Sequence, residues 1–159
     1  YEIAQCLVGS EMCIRDRLVT GHGHFATGLN SSLELIAGAQ PNVALVDFEA
    51  DHSIETLKEN LTKAFDSLKE YDGVLVLSDL PGGSPFKTAV ELKYERPDQA
   101  IEVIAGTNLP LLIASSTMTS VFENPLDLAE AMIPEGKDSI IRFELAVKAD
   151  EEDEEEDGI

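Results

Sequence analysis

Two apolar runs in this chain each stop at a glycine-containing turn that feeds a helix, and that repetition narrows the fold to one class. The first is Leu18-Val19-Thr20, followed by Gly21-His22-Gly23-His24-Phe25. The second is Val74-Leu75-Val76-Leu77, followed by Ser78-Asp79-Leu80-Pro81-Gly82-Gly83-Ser84-Pro85-Phe86. A continuous apolar run suits a parallel strand covered on both faces. In an open α/β sheet, such strand-to-helix turns gather at the carboxyl edge, where sites form.

The segments between and after these turns repeat the same alternation. Phe25, Leu29, Leu33 and Ile36 recur at helical spacing, and Gly38 closes that helix. Val43 to Phe48 reads as a short buried strand. Ser53 suits the cap of a helix marked by Ile54, Leu57, Leu61, Ala64, Phe65 and Leu68. Phe86, Ala89, Val90 and Tyr94 predict a third helix, and Ile101 to Ala105 a fourth strand. Asn108 to about Thr117 and Pro125 to about Ile133 read as two more helices. Ser139 to Leu145 differs, because Ile141, Phe143 and Leu145 alternate with Arg142 and Glu144. That pattern predicts a half-exposed antiparallel edge strand. The expectation is a doubly wound, mainly parallel α/β sheet of order about 2-1-3-4-5, with one antiparallel edge strand.

With 159 residues the chain suffices for one compact domain. The formal net charge of −20 argues against nucleic acid or an anionic membrane as partner. Asp150 to Asp157 is an unbroken run of acids, predicted to be a disordered tail over 148–159. The remainder still carries −12, the chain's −20 less those eight, so the body is acidic too. No apolar stretch approaches the roughly 20 residues that span a bilayer, and direct membrane insertion is not expected. Both cysteines, Cys6 and Cys13, lie in the opening segment. A disulfide scaffold for the domain is therefore excluded, and a cytoplasmic location is the expectation.

Residues 1–17 read as a non-native or disordered segment, with the domain running over 18–147. The string from Cys6 to Arg17 resembles a translated sequencing-adapter read-through. Arg15-Asp16-Arg17 would also place charges in a strand expected to be central, where unpaired charges cost several kcal/mol each.

The two turns carry complementary chemistry. Neutral imidazole is a nucleophile near physiological pH, which makes His22 a competent phosphoryl carrier. A carboxylate accepting from the other ring nitrogen fixes which one attacks and stabilises developing positive charge. In a 2-1-3 strand order the first and third strands are neighbours, which brings Asp79 beside His22. Gly82 and Gly83 allow backbone N–H groups to approach a ligand. Ser84 suits the helix cap and Pro85 the first helical position, and a helix N-terminus favours phosphate. Taken singly, Gly-Gly-Ser-Pro is ordinary helix-entry punctuation, and Asp at a strand end is often a cap. Two such turns on neighbouring strands are harder to dismiss. His24 reads as a solvated or partner-facing residue, although His22-x-His24 can also chelate a metal. His52 reads as structural or exposed.

At these residues the chain resembles the mannose-type IIA component of the bacterial phosphoenolpyruvate-dependent sugar phosphotransferase system. The resemblance covers roughly Leu18 to Leu145. It rests on Gly21-His22-Gly23 with Phe25-Ala26, on Ser78-Asp79 and Gly82-Gly83-Ser84-Pro85-Phe86, and on Val103-Ile104-Ala105-Gly106-Thr107-Asn108-Leu109-Pro110. It implies phosphorylation of His22 on Nε2 by the histidine-containing phosphocarrier protein, followed by transfer to a IIB component. Asp79 would orient the ring and Ser84, with Gly82 and Gly83, would hold the phosphoryl group, without metal or cofactor. A homodimer exchanging the edge strand near Ile140 to Leu145 is implied as well. Pro81 and His24 depart from members that carry a large aromatic residue there.

Three other readings remain at this point. One is the phosphotransfer subunit of dihydroxyacetone kinase, on the same fold. A second is a regulatory module that uses phosphorylation only as a signal. The third is a metal-dependent hydrolase built on His22, His24 and Asp47.

Overall fold

The computed structural model describes residues 16–68 and 73–146. Among the described residues four strands occur in chain order: β1 (Asp16–His22), β2 (Val43–Phe48), β3 (Gly73–Ser78) and β4 (Ala100–Ile104). Five helices connect and follow them: α1 (Phe25–Ala37), α2 (Ile54–Ser67), α3 (Ser84–Glu95), α4 (Leu109–Met118) and α5 (Pro125–Asp138). The sheet order is β2-β1-β3-β4, and every pairing is parallel.

Strand alternation divides the core between the two faces of the sheet. Val19, Leu75 and Leu77 pack with Ala26, Leu33, Leu111, Leu112, Leu128 and Met132 of α1, α4 and α5. Leu18, Val74 and Val76 pack on the other side with Leu57, Leu61, Phe65, Ala89 and Leu92 of α2 and α3. Adjacent residues on β1 and β3 thus serve opposite layers, which explains why both runs are apolar throughout. The α/β fold is the one expected. Among the described residues no helix is long and apolar enough to cross a membrane.

Three local expectations are corrected. The first concerns Asp16 and Arg17, set aside above with residues 1–17, which both lie buried in β1. Arg17 is accommodated because Nη1 donates to Ser115 Oγ at 3.2 Å and Nη2 to Gln40 Oε1 at 2.9 Å. Burial lowers its pKa to about 10, partly countered by the charge of Asp16. The second is the fifth strand. Residues 140–146 form no strand in this chain, and Ile140, Ile141, Phe143 and Leu145 are each about four-fifths exposed. An alternating pattern forms a strand only where a ladder partner is available, and among the described residues no strand pairs with it. The observed order is therefore 2-1-3-4. Third, α5 continues through Pro134 to Asp138 rather than stopping near Ile133. The expected acidic tail at 148–159, and Cys6 and Cys13, fall outside the described residues.

Candidate functional site

β1 and β3 are neighbours in register, with Thr20 opposite Ser78. Beyond this pair β3 ends while β1 runs on beside β2 to His22, which brings His22 and Asp79 together at the carboxyl edge. Asp79 Oδ2 accepts from the His22 backbone N–H at 2.8 Å and lies 2.8 Å from its ring Nδ1. Asp79 Oδ1 accepts from Leu80 N–H at 2.7 Å. Three donors therefore converge on one carboxylate whose side chain is only 15% exposed. Burial alone would push its pKa up. The hydrogen bonds from His22 and Leu80 outweigh that, and hold Asp79 below the usual carboxylate value.

With Nδ1 engaged, the ring's second nitrogen, Nε2, is the one left for chemistry, and the imidazole is 45% exposed. Phe48, at the end of β2, stands edge-on to the ring with centroids 5.8 Å apart. Sequence reading gave Phe48 no role, since an apolar residue ending a strand looks like core. The β4–α4 connection also braces the site: Gly106 N–H donates to the Asp79 carbonyl at 2.9 Å and Thr107 N–H to that of Ser78 at 3.1 Å. Ser78 Oγ donates to the Ile104 carbonyl at 2.9 Å. No local spacing signals these contacts, because they join segments about 26 residues apart.

The glycine turn lies directly against the imidazole. A Cβ on Gly83 would fall 2.8 Å from His22 Cε1, the carbon between the two ring nitrogens. Gly82 has a φ of +77°, which favours glycine. Gly83, not Ser84, takes the N-cap of α3, and no side chain caps this end. Ser84 is instead the first helical residue and Pro85 follows it. The first-turn N–H groups of α3 therefore keep the unfilled character that draws anions. Gly83→Ala is expected to displace the imidazole from Asp79, because the added Cβ and Cε1 cannot both keep their places; a shift of the His22 ring signals in NMR, compared with a thermal melt of the same variant, checks this.

His22 and His24 do not converge. His24 Nδ1 turns to Asp47 Oδ2 at 3.4 Å and Glu49 Oε1 at 3.5 Å. The hydrolase set of His22, His24 and Asp47 is thus divided between two clusters. His52 is held by Glu49 N–H, which donates to its Nδ1 at 3.2 Å.

Relatives share this architecture. The family profile described as the PTS system fructose IIA component matches residues 17–133. The chain is 35% identical over 96 residues to the fructose-specific EIIA component of Bacillus subtilis, covering 60% of this chain and 64% of that one. It is 38% identical over 92 residues to the mannose-specific EIIAB component of Escherichia coli K12, covering 58% of this chain and 28% of that one. The chain thus spans under two thirds of the length of these two relatives. The crystal structure of a phosphotransferase system EIIA component from Streptococcus agalactiae superposes with a TM-score of 0.75 at 33% identity, covering 80% of this chain and 95% of that one. A match through all four strands and into the last helix, on a fold whose neighbour is itself a IIA protein, settles descent: the chain belongs to the mannose-type IIA family of the sugar phosphotransferase system.

Proposed function

We propose that this protein is a cytoplasmic phosphoryl carrier, taking phosphate on His22 Nε2 from the histidine-containing phosphocarrier protein and passing it to a IIB component. The observation that carries this reading is Asp79 Oδ2, which takes both the His22 N–H and the ring Nδ1 at 2.8 Å. It ties the His22 backbone and one ring nitrogen to the same oxygen and leaves Nε2 of the half-exposed ring for attack. In the step, that lone pair forms a bond to phosphorus while the donor's N–P bond breaks and its electron pair returns to the donor. Asp79 stabilises the positive charge that appears on the accepting ring. The uncapped first turn of α3, with Gly82, Gly83 and Ser84, holds the phosphoryl oxygens. The two relatives' names differ in sugar, fructose and mannose, so no sugar is assigned. One of those names joins A and B components, which supports a IIB partner.

The test is incubation of the full chain with labelled phosphoenolpyruvate and the two general phosphotransferase proteins. Stoichiometric label that is lost in acid and retained in base is expected. No label, or an acid-stable adduct, overturns the reading.

We also infer a homodimer in which residues 140–146 pair with a second copy. Four large apolar side chains there are exposed in an alternating stretch, and β4 ends the sheet with one open edge. Ile141→Asp with Phe143→Asp should convert a dimer to a monomer in light scattering. An unchanged mass in the variant, or a monomeric parent, refutes it.

A further inference from the structure

His24 opens α1 without capping it, since its side chain makes no cap hydrogen bond. Asp47 of β2 does that work: Oδ1 accepts from Thr27 N–H at 3.1 Å and Oδ2 from Thr27 Oγ1 at 2.6 Å. His24 is thereby free to face Asp47 and, two residues further on, Glu49. We propose that His24 Nδ1, an Asp47 oxygen and Glu49 Oε1 form a binding site for one divalent transition-metal ion, of the zinc or manganese class.

The spacing is the main argument. His24 Nδ1 stands 3.4 Å from Asp47 Oδ2 and 3.5 Å from Glu49 Oε1, and the ligand atoms all lie within 4.8 Å of one another. A tetrahedral ion with bonds of 2.0–2.2 Å has ligand-to-ligand edges of about 3.3–3.6 Å. The His22–Asp79 hydrogen bond, at 2.8 Å, is shorter than such an edge, whereas the long His24–Asp47 hydrogen bond, at 3.4 Å, matches it. Donor chemistry agrees, because one imidazole with two carboxylates suits zinc, cobalt and manganese. The Thr27 hydroxyl and N–H orient the Asp47 carboxylate from behind, as outer partners orient metal ligands. His24 is 76% exposed, so an ion has an open approach and waters can complete its shell.

A neighbouring set is a poorer site. Glu49, Asp51 and His52 also cluster, but His52 Nδ1 accepts from Glu49 N–H. The neutral ring therefore carries its proton on Nε2, the atom 3.9 Å from Glu49 and 4.0 Å from Asp51. A backbone donor thus fixes a proton where a metal needs a lone pair, whereas the exposed His24 ring has no such donor and can carry its proton on Nε2, leaving Nδ1 to the ion. The proposal is independent of phosphate transfer, because His22 is committed to Asp79.

The experiment uses the full ¹⁵N-labelled chain, freed of metal by chelation and titrated with MnCl₂. Selective broadening of the amide signals around His24 to Thr27 and Asp47 to Glu49 is expected below one equivalent. His24→Ala and Glu49→Gln should each weaken binding about tenfold or more, and His22→Ala should leave it unchanged. Broadening confined to the acidic run 150–157, or retained in both His24→Ala and Glu49→Gln, overturns the site.

Discussion

His22→Ala is expected to accept no phosphate from the phosphocarrier, a loss of at least ~10⁴-fold, while its fold survives. The chemical half of that expectation follows from how the other imidazoles are placed. His24 faces Asp47 and Glu49, and His52 accepts from the Glu49 backbone. Neither can stand in for His22 beside the glycine turn. The structural half follows from the hydrogen bonds left behind. Asp79 keeps the N–H groups of residues 22 and 80 as donors after the ring is removed, so its buried charge stays satisfied. A half-exposed ring leaves no closed cavity, and the stability change should stay within about 1 kcal/mol. Labelling gels with circular dichroism of the same sample separate the two halves. A variant that folds and still takes label disproves the assignment of the carrier.

How far the sequence alone reached depends on whether the partner of each residue was near it in the chain. β3 was legible because four consecutive apolar residues serve two layers at once, and only a covered parallel strand needs that. The meeting of His22 and Asp79 was legible too, since the 2-1-3 order follows from the alternation of strands and helices. Arg17 was not. Its acceptors are Ser115 and Gln40, and Ser115 is 98 positions away, so a buried charge looked unsatisfiable. The capping of α1 by Asp47 was not legible for the same reason, because the cap comes from the neighbouring strand rather than from the residue before the helix. Residues 140–146 show a third kind of limit. Their alternation states that one face seeks burial, and says nothing about which chain supplies the strand beside it. The one-residue shift of the α3 cap from Ser84 to Gly83 is of smaller consequence, since either choice leaves the glycine turn against His22.

Asp79→Asn should cost phosphoryl acceptance between about 10² and 10⁴, although it changes almost nothing in shape. The carboxylate has two oxygens, and both are in use: Oδ2 accepts from the backbone and ring of His22, and Oδ1 from Leu80 N–H. An amide keeps one oxygen and turns an NH₂ toward one of those donors. If the NH₂ faces the ring, Nδ1 becomes the acceptor, the proton moves to Nε2, and the nucleophilic lone pair is gone. If it faces Leu80, a backbone N–H loses its acceptor and the turn that carries Asp79 relaxes. In both cases the accepting ring also loses the negative charge that balances it. The same geometry gives a stability signature with a definite sign. Because the folded-state pKa of Asp79 is depressed, its contribution is fully present above the unfolded value near 4. It is lost as pH falls through the lower, folded value. The variant should therefore show a shallower loss of stability below about pH 4 than the parent, measured by chemical denaturation across that range. Rapid-quench labelling supplies the rate. An Asn variant within tenfold of the parent would mean that the carboxylate does not set the tautomer, and that some other group holds the imidazole for attack.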